Sequence, residues 1–291
     1  MSKCPNCNME LKGGSVACPY CGAQITQSAS GEKARSPKVE PKKQNSWITK
    51  EVNEVIEKYL PSDPSAEDKR PAIPNEEIHT LAAQMFEALL DKVVVVLTDC
   101  GAGTGFFLPN GMIGTNAHVI LNNDMSAPAN VVVIEHRSKR YPARIVRCNA
   151  QQDVAIIEFA KQKPSDISEL ANELGDSHEL KPGDEVISIG NSRGWGLSYN
   201  RFSIKDKVKS HPHFTEHREV ILMNGTAQHG NSGGPLYNAR GEVVGLLTGS
   251  PVVPETVGVE VMPGVAQGVN VWSPEPGVCY GVTIETLKML L

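Results

Sequence analysis

Gly230-Asn231-Ser232-Gly233-Gly234-Pro235-Leu236 is the stretch from which the architecture can be read. A serine among glycines lets backbone N–H groups approach a reacting carbonyl without side-chain obstruction. The same letters satisfy G-x-S-x-G, the sharp strand-to-helix elbow on which α/β-hydrolases mount a nucleophile. Chain order separates the two readings, because an elbow of that kind needs its histidine after the serine. The last histidine of this chain is His229, so none follows Ser232. The flanking strands also do not alternate with helices. Ser232 therefore needs both a histidine and a carboxylate upstream, in the order His…Asp…Ser or Asp…His…Ser.

Two upstream blocks supply them. Thr115-Asn116-Ala117-His118-Val119-Ile120 follows the run Gly103-Thr104-Gly105-Phe106-Phe107-Leu108, and Asp153-Val154-Ala155-Ile156-Ile157 opens an apolar strand. Asp124, Asp166, Asp176, Asp184 and Asp206 also lie between His118 and Ser232, but none leads directly into such a strand. Short strands are expected at 93–98, 104–108, 111–115, 130–136, 142–148, 154–159, 185–190, 219–223 and 243–248. Turn residues such as Pro109-Asn110-Gly111 and Ala239-Arg240-Gly241 separate them. Many short strands over this length read as an all-β barrel or sandwich.

These blocks together resemble the trypsin-like serine peptidases of the HtrA/Deg branch, over roughly residues 90–291. The resemblance implies two packed six-stranded antiparallel β-barrels with the site in the cleft between them. It makes His118 the general base, Asp153 its orienting carboxylate and Ser232 the nucleophile, with the N–H groups of Gly230 and Ser232 as oxyanion donors. A serine hydroxyl is a poor nucleophile until a neighbour takes its proton, and an imidazole titrates in the right range to do so. The substrate pocket would be lined by Thr226, Ala227 and Gln228, with Leu246, Leu247 and Thr248 in the neighbouring wall. Thr226 stands where trypsin has an aspartate. A neutral pocket cannot pair a basic side chain, so a small or medium apolar residue is expected before the cut bond.

Three departures accompany the resemblance. Asn224 and Gln228 replace an aspartate and an asparagine usual in the branch, and both are expected to flank the pocket. Pro251–Gly277 is long, and its alternating Val257-Gly258-Val259-Glu260-Val261 suggests a strand lying over the cleft. Relatives commonly continue into a PDZ domain. This sequence reaches Leu291 soon after Tyr280–Leu287, so no PDZ-based control is expected.

The amino-terminal region has different chemistry. Cys4-x2-Cys7 and Cys18-x2-Cys21 each carry a proline after the first cysteine, and Gly22 follows the second pair. Four thiolates at this spacing suit a closed, structural tetrahedral Zn²⁺. Two local disulfides or a redox pair are the alternatives. So short a segment would draw its folding energy from the metal, and catalysis would need no cofactor. Domain boundaries are read as a zinc ribbon at 1–23, a linker at 24–74 and the main domain at 75–291. Ile48, Val52, Val55, Ile56 and Tyr59 mark an amphipathic helix at 47–60 within the linker. A further helix is expected from Asn75 to about Leu90. Cys100, Cys148 and Cys279 read as small packing residues. His211, His213 and His217 read as loop histidines rather than a second metal site.

Charge and hydropathy exclude several classes. No apolar run approaches the roughly 20 residues that span a bilayer, and the amino terminus lacks the apolar core of a secretory signal. Residues 1–75 carry 11 basic and 9 acidic residues, +2, and the remainder 17 and 24, −7, which makes nucleic acid a poor partner. Reduced thiolates led to the expectation of a cytoplasmic protein. The expected partners are protein or peptide substrates, a protein bound by the ribbon or by helix 47–60, and further copies of the chain. The functional reading is a serine endopeptidase. An inactive peptide-binding module and a zinc-ribbon nucleic-acid adaptor are the alternatives.

Overall fold

The computed structural model describes residues 2–3, 10–11, 75–122, 124–208, 219–262 and 265–291. The four amino-terminal cysteines, helix 47–60 with its linkers, and His211, His213 and His217 lie outside the described residues. Near the amino terminus, β1 (Ser2–Lys3) pairs antiparallel with β2 (Glu10–Leu11).

Two closed antiparallel barrels of six strands form the main domain, as the resemblance implied. The first contains β3 (Val93–Thr98), β4 (Gly101–Phe107), β5 (Ile113–Thr115), β6 (Val132–His136), β7 (Lys139–Asn149) and β8 (Val154–Phe159). The second contains β9 (Glu185–Gly190), β10 (Ser198–Val208), β11 (Val220–Asn224), β12 (Pro235–Tyr237), β13 (Val243–Gly249) and β16 (Val278–Thr283). Between β13 and β16 the chain leaves the barrel as a separate hairpin, β14 (Val252–Met262) paired with β15 (Val265–Pro274). The strand expected at 257–261 is thus the middle of β14.

The side-chain period of two explains why so many strands are apolar on both faces. In β8, Ala155 and Ile157 fill the first barrel, while Val154 and Ile156 face a seam shared with the second. In β4, Phe107 points into the barrel and Phe106 into the seam. In β13 a bulge against β12 breaks the alternation, so Val244 and Leu247 fill the second barrel, while Val243 and Leu246 enter the seam. Helix α1 (Asn75–Leu89) closes that seam with Ala82, Met85 and Leu89. Ile284 and Leu287 of α3 (Ile284–Lys288) join it near the carboxyl terminus. The short α2 (Ala117–Ile120) packs Ala117, Val119 and Ile120 into the first barrel.

Several elements differ from expectation. Strand β10 carries Arg201, Lys205, Asp206 and Lys207 and is bulged between Ile204 and Asp206, so its alternation is broken. Strand β12 is three residues long and begins with proline, leaving too little pattern to read. Cys279 is a packing residue, buried in the second barrel. Cys148 is half-buried against the first. Cys100 is not a packing residue, because it sits exposed in the β3–β4 turn. Burial pushes the Cys148 thiol up to about 12, helped by the Asp153 charge, and burial alone does the same for Cys279.

His136 is expected to make the first barrel acid-sensitive. Its ring is 4% exposed, lies edge-on to Phe107, and meets the Asp91 carbonyl through Nε2 at 2.8 Å. Burial holds its pKa below the ordinary 6.5, and nearby Arg137 adds to the depression against the opposing charges of Asp91 and Asp166. The unfolded chain therefore binds a proton that the folded chain resists. Stability is expected to be full above about pH 6.5 and to fall as pH drops below that value. Thermal melts at pH 7.5 and 5.5 check this, and His136→Gln should narrow the difference between them.

Candidate active site

His118 is the second residue of α2, one turn of helix that follows β5 directly. Asp153 stands immediately before β8, which pairs with β5, so the register of one strand pair delivers both residues to the same end of the first barrel. Asp153 adopts a φ of 55°, a left-handed conformation that aspartate tolerates better than most residues. Its carboxylate holds His118 twice. Oδ1 accepts the His118 backbone N–H at 2.9 Å, and both oxygens lie 3.0 Å from Nδ1. A carboxylate only accepts, so Nδ1 carries a ring proton, and in the neutral imidazole Nε2 then presents the lone pair. Asp153 is 4% exposed, which shields its carboxylate from water, while the His118 ring stays partly open to solvent.

Asn116 completes this side of the site, and its role was not legible from the sequence. It is fully buried, and its Nδ2 donates to the Asp153 carbonyl at 2.8 Å and to Thr248 Oγ1 at 3.3 Å. A short polar residue two before a candidate base is a weak signal, since only the fold brings residues 116, 153 and 248 together.

Ser232 arrives from the second barrel, on the turn before β12. Its carbonyl accepts from the Thr104 N–H at 2.8 Å, which ties the nucleophile loop to β4 of the first barrel. Val119, the residue after His118, and the Ser232 carbonyl meet over the same glycine. A Cβ at Gly103 would lie 2.6 Å from Val119 and 3.0 Å from Ser232 O. The Ser232 hydroxyl donates to the Thr248 carbonyl at 2.9 Å, and Thr248 is the residue held by Asn116. Gly233 has a φ of +83°, and a Cβ there would sit 2.2 Å from the Thr104 carbonyl, so only glycine fits.

The backbone around Ser232 is aimed by its carbonyls. In a planar trans peptide the C=O and the following N–H point in opposite directions. The His229 carbonyl accepts from Arg193 N at 2.7 Å, which turns the Gly230 N–H the other way. The Asn231 carbonyl accepts from Gly234 N at 2.9 Å, which does the same for the Ser232 N–H. Among the described residues neither N–H donates to a backbone carbonyl. Two donors freed in this way suit an oxygen that becomes negative during acyl transfer.

The expected pocket residues fare differently. Ala227 is half-buried against the second barrel, and Gln228 accepts a 3.0 Å bond from Arg193 Nε. Thr226 is exposed on the turn after β11. Leu246 and Leu247 must be corrected, because both are fully buried and their side chains line no open pocket. Their strand contributes backbone instead, with Gly233 N donating to Leu247 O and Leu247 N to Gly234 O, each at 2.8 Å. Asn224 is exposed and donates to Ser203 Oγ at 3.1 Å.

Comparison with known proteins agrees with this geometry. Residues 103–246 match the family described as "Trypsin-like peptidase domain". Fold and matched segment make this chain similar to the trypsin-like peptidase domains. Its relatives are of the HtrA type. A "Probable periplasmic serine endoprotease DegP-like" of Chlamydia pneumoniae is 33% identical over 147 residues, 50% of this chain and 28% of that protein. The "Periplasmic pH-dependent serine endoprotease DegQ" of Escherichia coli is 25% identical over 195 residues, 67% of this chain and 41% of that protein. The chain thus spans well under half the length of these relatives. The solved structure "HtrA-type protease AlgW with tripeptide" shares the fold, with a TM-score of 0.54 at 19% identity over 71% of this chain and 61% of that one.

These names overturn the cytoplasmic expectation, because the relatives that match are named periplasmic proteases. The physical reason lies in the inference itself. Paired Cys-x2-Cys spacing reports a set of ligands, and ligands protected by a metal say little about the redox state of the compartment.

Proposed function

We propose that the chain is an HtrA-type serine endopeptidase in which His118, Asp153 and Ser232 act as base, orienting carboxylate and nucleophile. The observation that carries this reading is the double hold of one buried carboxylate on His118, at the main-chain N–H and at Nδ1. That hold fixes the tautomer whose Nε2 can take a proton. For attack, the Ser232 proton must leave the Thr248 carbonyl and pass to Nε2. Oγ then bonds the substrate carbonyl carbon, and the oxygen that gains charge is received by the Gly230 and Ser232 N–H groups. Losing one such donor costs on the order of 10²–10³ in rate in another protease. Nε2–H next protonates the leaving amine, and water repeats the sequence on the acyl-enzyme.

The neutral Thr226 and Ala227 support a small or medium apolar residue before the cut bond. A fluorophosphonate probe tests the peptidase reading. The wild-type chain should be labelled once, at Ser232, and Ser232→Ala should not be labelled. A wild-type chain that stays unlabelled under conditions where it is folded would rule the reading out.

The reading extends to a structural zinc on Cys4, Cys7, Cys18 and Cys21. What supports it is the chemistry of the donor set, since four thiolates close a tetrahedral site and leave no position for water. When bound, the metal would supply folding energy to the segment and no step of catalysis. One equivalent of zinc per chain is expected by elemental analysis. Cys4→Ser with Cys7→Ser should abolish it, with peptide hydrolysis retained.

A further inference from the structure

Thr104 carries a hydroxyl at the point where both barrels meet the nucleophile loop, and no role above required it. The residue is fully buried. Its Oγ1 donates to the Gly230 carbonyl at 2.7 Å and accepts from the Asn191 N–H at 3.0 Å. The Gly230 N–H belongs to the 229–230 peptide, and these two bonds hold the chain on either side of it without touching it. On one side, Oγ1 fixes the carbonyl of Gly230 itself. On the other, it fixes residue 191, two before Arg193, whose N–H holds the His229 carbonyl. Gly230 is seated on the same segment. Its φ is +91°, and a Cβ there would lie 2.1 Å from the Asn191 carbonyl oxygen.

The main chain of Thr104 reaches the other halves of the site. Its N–H donates to the Ser232 carbonyl at 2.8 Å, and its carbonyl accepts from Thr115 Oγ1 at 2.7 Å, three residues before His118. Any residue at 104 keeps these two backbone bonds. Among side chains this small, only the hydroxyl of serine or threonine both donates and accepts strongly, so one of those two is needed for the remaining two bonds.

We infer that Thr104 is a positioning residue for the oxyanion donor, its hydroxyl tying the Gly230 carbonyl to the 191–193 segment that holds the His229 carbonyl, and so keeping the 229–230 peptide between them in the orientation that stabilises the transition state. The inference rests on the peptidase reading and deepens it. Thr104 does not touch substrate. Its loss should therefore weaken stabilisation of developing charge and leave ground-state binding largely intact.

The test compares Thr104→Val, which keeps shape and removes the hydroxyl, with Thr104→Ser, which keeps the hydroxyl and removes a methyl. Steady-state hydrolysis of a chromogenic peptide ester is measured with the full chain. Thr104→Val should lower kcat on the order of 10- to 100-fold with KM within about twofold, a partial loss of one oxyanion donor. A peptide aldehyde, which forms a tetrahedral adduct on Ser232, should bind more weakly in parallel. Thr104→Ser should recover most of both. If Thr104→Val does not melt cooperatively, Thr104→Cys replaces it, since a thiol is a weak donor and acceptor of similar size, and the same loss is expected. Full kcat in the hydroxyl-free variant, a change in KM alone, or an equal loss in Thr104→Ser overturns the inference and leaves the peptidase reading standing. A folded wild-type chain that neither hydrolyses the ester nor takes a fluorophosphonate overturns both.

Discussion

Ser232→Ala is expected to lower kcat for a peptide substrate by on the order of 10⁴- to 10⁶-fold and to leave substrate affinity nearly unchanged. The size of the loss follows from the mechanism. Without Oγ no acyl-enzyme forms, and His118 has no hydroxyl to deprotonate. What remains is the pair of N–H groups and the binding cleft, which in comparable enzymes still give some 10³-fold over water. The loop itself should survive, because its geometry comes from backbone bonds that alanine keeps, from Thr104 N to the residue-232 carbonyl and from Gly234 N to the Asn231 carbonyl. The hydroxyl contributes a single bond to Thr248 O. Single-turnover kinetics alongside a thermal melt check the prediction. A residual rate within tenfold of wild type would show that another residue is the nucleophile.

Asp153→Asn is expected to reduce kcat by about 10⁴-fold while the fold persists, as the equivalent change does in a protease used to define this chemistry. The argument concerns tautomers. Asparagine can still accept the His118 main-chain N–H through its oxygen, the bond now made at 2.9 Å by Oδ1. Its NH₂ group then faces Nδ1 and donates to it. The ring proton moves to Nε2, and the nitrogen that should receive the serine proton already holds one. The imidazolium formed in the transition state also loses its counter-charge. Asn116 should keep the backbone in place, since its Nδ2 bonds the residue-153 carbonyl and not the side chain. The imidazole proton resonances of His118 by NMR, together with the pH–rate profile, separate a wrong tautomer from a collapsed site. An Asp153→Asn enzyme with wild-type kcat would remove Asp153 from the mechanism.

Much of the site was legible because its parts sit in short, chemically unusual words. Gly230–Leu236 admits close backbone approach, and the absence of histidine after Ser232 excludes one fold outright. The turns around β8 and β13 are punctuated, so those strands could be placed to within a residue or so. Residues whose importance comes from a partner far along the chain were not legible. Asn116, Thr104 and Asn191 are ordinary polar residues until residues 153, 230 and 104 are brought against them. Leu246 and Leu247 failed as pocket residues for a related reason. In an apolar strand, the sequence does not say which face meets a cleft and which a core.

From the sequence alone come the order His118, Asp153, Ser232, the strand-and-turn rhythm of an all-β domain, and the paired cysteines near the amino terminus. These are local matters, set by glycine conformation, hydrophobic period and residue chemistry over a few positions. Tertiary structure alone decided which face of each apolar strand enters a barrel and which the seam, and which carbonyls hold the Gly230 and Ser232 N–H groups outward. It also decided that one threonine hydroxyl bridges the first barrel to two segments of the second. A strand buried on both sides has the same composition on each, and a hydrogen bond between residues 104 and 230 leaves no local trace. Such features exist only once the two barrels have closed against each other.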